Sequence, residues 1–362
     1  MKRIYFTVTN ELCYDQRMTR ICRSLSGAGF SVCLVGRTRK NQPPLEKEPY
    51  QQKRLRCWFS KGPMFYLEFN FRLFIYLFPK KMEGICAIDL DTILPCFLVS
   101  RIKNIPRIYD AHELFSEMKE VLTRPLIKKI WTRLEKWAVP RFMHGYCVSP
   151  GIADELSHRY GVHYAVIRNL PVLENLSSLP KEERFILYQG AVNQARGLEY
   201  LIPSMRFVDC RLVICGDGNM MDTCSSLIKA HGLEDKITMR GNVLPAALKQ
   251  ITQKAYLGIN LVEPFGLNQY YSLANKFFDY IHAGIPQITM NFPSYREINQ
   301  QYRVAILLDE LKEQIISAGI NNMLHEDVLY DALQANCLAA RKQLNWQEEE
   351  KKLILFYNQL LC

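Results

Sequence analysis

The 362-residue chain has no C-x-x-C pair and no cysteine and histidine pattern with metal-ligand spacing, although it carries 12 cysteines. Scattered in this way, they exclude a disulfide scaffold and a zinc module and fit a reducing compartment. Also missing is any uncharged apolar run of about 18 residues, and the opening MKRIYFTVTN reads as a strand, not as a charged segment ahead of a long apolar one. Neither a leader peptide nor a membrane span is expected, and a cytoplasmic location follows. No nucleic-acid-binding motif is present, so no nucleic-acid partner is expected.

What the chain does contain is apolar residues enough for large cores: 48% hydrophobic against 23% charged, a length suited to about two domains. Its charge is lopsided. Residues 1–170 hold 28 Lys and Arg against 15 Asp and Glu, a net of +13, whereas residues 171–362 hold 18 against 21, a net of −3. A basic half of this kind suits anionic lipid or a phosphorylated substrate.

Short apolar strands alternate with helical spacing in both halves. In the first they are expected at 4–8, 31–35, 84–88, 107–109 and 145–148; in the second, at 185–188, 211–215, 236–240, 257–261 and 287–290. Residues 169–183, NLPVLENLSSLPKEE, are rich in Pro, Ser and Asn and lack periodicity, which marks a linker. The spacing predicts an α/β protein of two doubly wound Rossmann-like domains facing a central cleft, with ligands at the carboxyl ends of strands. The expected boundaries are 1–168 and 184–340, with a C-terminal helix at 341–362 that packs back on the first domain.

Three stretches of the second half carry chemistry. In YQGAVNQARGLEYLI, residues 188–202, a strand ends at Gly190, and Arg196 stands where a helix opens. Helix-mouth N–H groups, a glycine and an arginine fork together suit a diphosphate, though turn glycines with a solvated arginine would leave the same pattern. LVICGDGNM places Gly216, Asp217 and Gly218 after a strand, a point of close backbone approach or simply a tight turn. In LANKFFDYIHAGIPQIT, Lys276 and Asp279 share a face at the start of a helix, where the lysine can meet phosphate and the carboxylate can accept sugar hydroxyls. A surface ion pair is the plainer alternative.

The order of these stretches, together with NELCYDQRMTRICRSLSGAGFSV, DLDTILP, YDAHELFSE and VSPGIADEL, resembles the retaining GT-B glycosyltransferases of family 4 over nearly the whole chain. That resemblance implies a UDP- or GDP-linked sugar donor held by the C-terminal domain, a hydroxyl acceptor held by the N-terminal domain, and hexosyl transfer with retention. The acceptor implied is a glycan or lipid-linked glycan; no obligatory cofactor or metal is implied. By position, Gly190, Arg196, Gly216, Asp217 and Lys276 lie on the donor diphosphate side, Asp279 takes the ribose-binding role and Asn242 lies beside the base. His112, delivered with Asp110 and Glu113 by the strand of YDAHELFSE, faces the donor sugar as the catalytic group. Asp15, Arg17 and Asp110 are acceptor-site candidates. The chain departs from the family at Ala191, where members carry arginine, at Asp279, where they carry glutamate, and at Tyr271, eight residues before it, where an acidic partner is expected; Glu263 is near, but at the wrong spacing. Two other readings stay open: a nucleotide-sugar epimerase of the same fold, and a non-catalytic nucleotide-sugar-binding subunit.

Asp89 and Asp91 form a D-x-D, read as structural or acceptor-side. The segments 64–78, MFYLEFNFRLFIYLF, and 124–141, RPLIKKIWTRLEKWAVPR, combine apolar stripes with lysine and arginine. They read either as core helices with solvated charges or as a surface for peripheral docking on the inner face of an anionic membrane.

Overall fold

A computed structural model describes residues 1–13, 15–38, 42–176 and 183–361. Among them, parallel pairing builds two sheets. The first contains β1 (Arg3–Thr7), β2 (Ser31–Thr38), β3 (Gln51–Arg56), β4 (Gly84–Ile88), β5 (Arg107–Ala111), β6 (His144–Cys147) and β7 (Ala165–Val166), in the order β3-β2-β1-β4-β5-β6-β7. The second contains β8 (Phe185–Gln189), β9 (Arg211–Cys215), β10 (Ile237–Gly241), β11 (Leu257–Asn260), β12 (Gln287–Met290) and β13 (Ala305–Leu308), in the order β10-β9-β8-β11-β12-β13. Each sheet reverses direction beside its first strand, the doubly wound order of a Rossmann-like domain.

Helices on both faces explain why the central strands read as unbroken apolar runs: all of GICAI in β4 and QITM in β12 is buried. The expected strands appear within a few residues of their places. Three were not legible: β3, QQKRLR, a polar edge strand; β7, only two residues; and the short β13.

The chain divides into unit 1, Met1–Asn169 with Gln347–Cys362, and unit 2, Leu170–Trp346. Most of the Trp346–Leu361 helix therefore belongs to unit 1, where buried Tyr357 lies 5.9 Å ring to ring from Phe6 and 3.3 Å from the Tyr146 hydroxyl. Leu170, placed at the start of the expected linker, is already buried in the core of unit 2. Residues 177–182 of that linker lie outside the described residues, as do Tyr14, residues 39–41 and Cys362.

Candidate active site

In unit 1 the carboxyl ends of β1, β4 and β5 carry the titratable cluster. Asp110 sits inside β5 and is fully buried. Arg17, 4% exposed, extends from the Gln16–Gly27 helix to donate from Nη2 to Asp110 Oδ1 at 3.0 Å and from Nη1 to the Ile167 carbonyl at 3.1 Å. His112, just beyond the strand, is 17% exposed. Its backbone N–H donates to Asp89 Oδ1 at 2.9 Å, and its Nδ1 lies 3.9 Å from Asp89 Oδ2. Asp89 itself holds φ 54 and ψ −179, a backbone state that a non-glycine residue keeps only under local constraint.

Two groups approach His112 Nε2 at 3.0 Å: Arg17 Nε and Asp110 Oδ2. They demand opposite protonation, since the guanidinium N–H needs a lone pair on Nε2 and the carboxylate needs a proton. The Arg17 contact has good hydrogen-bond geometry, and in that arrangement Asp110 Oδ2 is left without a hydrogen bond. Charge favours the other state. Burial disfavours the imidazolium, but Asp110 and Asp89 outweigh it and hold the His112 pKa up to about 9. Asp110 is held low in turn: burial would raise it, and Arg17 and His112 more than compensate. The D-x-D carboxyls go the other way, with burial pushing Asp89 up to about 8 against the pull of His112, and Asp91 up to about 6 despite the hydrogen bond from Thr9 Oγ1. The result is a partly exposed imidazole whose charged form is favoured, backed by buried Asp110 and partly buried Asp89. Among the described residues no three His, Cys, Asp or Glu side chains are grouped to hold a metal ion.

In unit 2 the loops after β8 and β9 knit together. Gly190, with φ 123, donates its N–H to the Cys215 carbonyl at 3.0 Å, and Val192 donates to Asp217 O at 3.0 Å. A Cβ on Gly216 would lie 1.8 Å from the Gly190 carbonyl oxygen, so the close approach expected of the G-x-G is to the neighbouring loop. Asp217 Oδ1 accepts from the Gly218 N–H at 2.7 Å, and Asn242 Nδ2 reaches Asp217 Oδ2 at 3.4 Å. Ala195 is held at φ 63, and its carbonyl accepts from the Glu263 N–H at 3.1 Å, tying the loop that carries Arg196 to the loop that carries Glu263.

Lys276 lies in the first turn of the Asn275–Ala283 helix and is 8% exposed. Its Nζ sits 4.0 Å from the Tyr188 ring centroid, and among the described residues it has no ion pair. Burial, reinforced by the positive charge of Arg196, drives its pKa well below the ordinary lysine range. Two cations and a helix N-terminus thus converge on a place that favours an anion. One turn on, Asp279 Oδ2 accepts from Gln189 Nε2 at 2.9 Å, and Gln189 Oε1 accepts from Thr252 Oγ1 at 2.7 Å.

The structure therefore gathers Arg17, Asp110 and His112 in unit 1, and Gly190, Arg196, Gly216, Asp217, Asn242, Lys276 and Asp279 along the carboxyl-edge loops and the helix start of unit 2. The three acceptor-site candidates have these partners within the chain. Arg17 and Asp110 are buried and turned to His112. Asp15 caps the Gln16–Gly27 helix, accepting from the Met18 N–H at Oδ1 and from Asn10 Nδ2 at Oδ2, both at 3.0 Å. Sequence reasoning missed Asp89 as the anchor of His112, and Tyr188 and Gln189 as the seats of Lys276 and Asp279. The only signal for the last two was their position at the end of a strand.

Comparison with known proteins matches residues 174–343 to the family model of glycosyl transferases group 1 and residues 16–171 to that of glycosyltransferase family 4. An uncharacterized glycosyltransferase of Methanocaldococcus jannaschii is 26% identical over 151 residues, 40% of this chain and 37% of that protein. The match thus spans little more than a third of the relative. Among solved structures, a sucrose-phosphate synthase from Thermosynechococcus elongatus superposes with a TM-score of 0.82 at 17% identity, covering 99% of both chains. HepE from Anabaena, solved in complex with UDP and glucose, gives 0.77 at 12% identity over 99% of this chain and 100% of its own. At these identities the likeness is one of fold, the GT-B pair of Rossmann-like domains.

Proposed function

Because the chain belongs to the group 1 glycosyltransferases, we propose that it moves a hexosyl group from a UDP- or GDP-linked donor to a hydroxyl of a glycan or lipid-linked glycan, with retention, at the cytoplasmic face of a membrane. The observation that carries the donor half is Lys276, buried beside Arg196 at a helix start with no anionic partner among the described residues. Bringing a diphosphate there relieves the repulsion between the two cations and supplies the charge-assisted bonds that burial has left unmade. The complex of HepE with UDP and glucose supports a nucleotide-sugar of this kind.

In this reading unit 2 binds the donor and unit 1 supplies His112, which hydrogen-bonds the sugar. Arg17, Asp110 and Asp89 position the ring and set its charge. The acceptor hydroxyl attacks from the side of the leaving group and gives its proton to the departing phosphate, while Lys276 and Arg196 stabilise the negative charge that develops on it. No protein nucleophile takes part.

The test is a panel of nucleotide-sugars screened by thermal shift, with hits offered to hydroxyl acceptors and the anomeric configuration of the product read by NMR. Binding of a UDP- or GDP-sugar followed by retained transfer supports the reading. Failure to bind any member, inversion at the anomeric carbon, or conversion of the sugar to its epimer without an acceptor overturns it.

A further inference from the structure

The Gly62–Leu77 helix is apolar on two opposite sides. Phe65, Phe69, Leu73 and Leu77 are buried against unit 1, yet Leu67, Phe71 and Ile75 stand out at 67%, 66% and 53% exposure. An all-round apolar helix belongs inside a core or against lipid, and this one has one face in water. Its neighbours continue the surface. The Ile93–Lys103 helix packs beside it and exposes Leu98 and Ile102, and the Pro125–Ala138 helix exposes Leu126 and Ile130. Tyr66 and Trp131, 5.5 Å ring to ring, join the first helix to the third, and Phe97 and Trp137, at 4.9 Å, join the second to it.

Charge selects the occupant. The three helices contain seven Lys and Arg and two Glu. Neither Glu opposes an anionic surface: Glu68 is held by the Trp58 and Phe59 N–H groups and by Arg72 Nε, and Glu135 is buried, accepting from the Tyr160 hydroxyl. Lys128, Lys129, Arg133 and Lys136 are exposed beside the apolar residues, and Trp58, 84% exposed under the Arg72 guanidinium, adds an interfacial aromatic. Among the described residues no helix is long and apolar enough to cross a membrane.

We propose that this three-helix face of unit 1 docks on an anionic lipid bilayer, the apolar side chains entering the headgroup boundary and the lysines and arginines meeting lipid phosphates. The inference gives a place to the membrane part of the function proposed above, and its test reads lipid binding without sugar transfer, so either can fail alone.

The experiment is co-sedimentation of the full chain with vesicles of equimolar phosphatidylcholine and phosphatidylglycerol, against phosphatidylcholine alone, over a range of salt. Binding to the mixed vesicles is expected at low salt and fades as salt screens it. Lys128→Glu with Lys129→Glu should weaken it at least twenty-five-fold, at about fivefold for each charge removed. Leu67→Ser with Phe71→Ser should weaken it too, leaving a residue more sensitive to salt. Both variants alter exposed side chains and should keep the parent melting temperature and nucleotide affinity. Absence of binding at every ionic strength, or binding that neither double variant weakens, overturns the proposal. So does a concentration-dependent dimer, lost in the Leu67→Ser/Phe71→Ser variant, in a protein that ignores vesicles, since the face then belongs to a second copy.

Discussion

Lys276 Nζ lies 4.0 Å from the centre of the Tyr188 ring, a buried ammonium resting on an aromatic face instead of a carboxylate. A cation–π contact offsets only part of the cost of burying charge. The position is thus costly to the free protein and suited to a bound anion.

Replacing Lys276 by Met should therefore have two opposite effects. The melting temperature of the free protein should rise, because the desolvated ammonium is gone, and affinity for nucleoside diphosphates should fall about tenfold or more, as one charge-assisted bond is lost. Arg196→Ala should weaken the same binding to a similar degree. Unchanged affinity in both variants, by isothermal calorimetry, would remove the donor site from this place.

His112→Ala should show the reverse pattern. A residue that acts on the reacting sugar lowers transfer by on the order of a hundredfold while leaving diphosphate binding nearly intact. Steady-state transfer and UDP titration on this variant and on Lys276→Met separate the two roles, and normal transfer by His112→Ala reduces the histidine to a structural residue.

Stability should fall as pH rises from about 6.5 to about 9. His112, up from 6.5 to about 9, and Asp89, up from 3.8 to about 8, both hold protons more tightly in the folded chain than in the unfolded one. Arg17, Asp110, Asp91 and Glu113 supply the surrounding charge. Urea unfolding at both ends of the window should show a loss in the parent that is smaller in His112→Gln. The depressed Lys276 acts in the opposite sense in both proteins and cancels in the comparison. An identical loss in both would mean that His112 does not titrate in this range.

Gly216→Ala should destabilise unit 2 by on the order of 3 kcal/mol, because the new methyl would stand 1.8 Å from the Gly190 carbonyl at a backbone φ of 152. Gly232→Ala, also at positive φ but with open space at its Cβ, should cost about 1 kcal/mol. Equal losses in chemical denaturation would mean that the two loops do not depend on that contact.

The places of the candidate site residues are partly legible in the sequence. Lys276 and Arg196 were marked by their place at helix openings, and His112 by its place after a strand, since local position is written in local pattern. The helix cap at Asp15 and the ion pair of Arg17 with Asp110 leave no such mark in the local pattern. A carboxylate just ahead of a helix is a cap wherever the next turn offers it free N–H groups, and an arginine with a buried acid in reach turns inward.

Alternation of apolar strands with helix-spaced segments was enough to specify parallel doubly wound domains, because burial on both faces leaves an unbroken apolar run in the chain itself. Polar β3 escaped for the converse reason: an edge strand takes its place from backbone pairing, which imposes no side-chain pattern. Only the tertiary structure decided which distant residues share work: Arg17 with Asp110, 93 residues apart; Asp89 with His112, 23 apart; Gln189 with Asp279, 90 apart. Strand order sets those meetings. It brings the carboxyl ends of β1, β4 and β5, or of β8 and β11, side by side whatever their separation in the chain, and periodicity carries no record of which loops become neighbours. The two-sided apolar helix at Gly62–Leu77 shows the same division. Its composition was written in the sequence, but which side remains in water depends on what packs against the other.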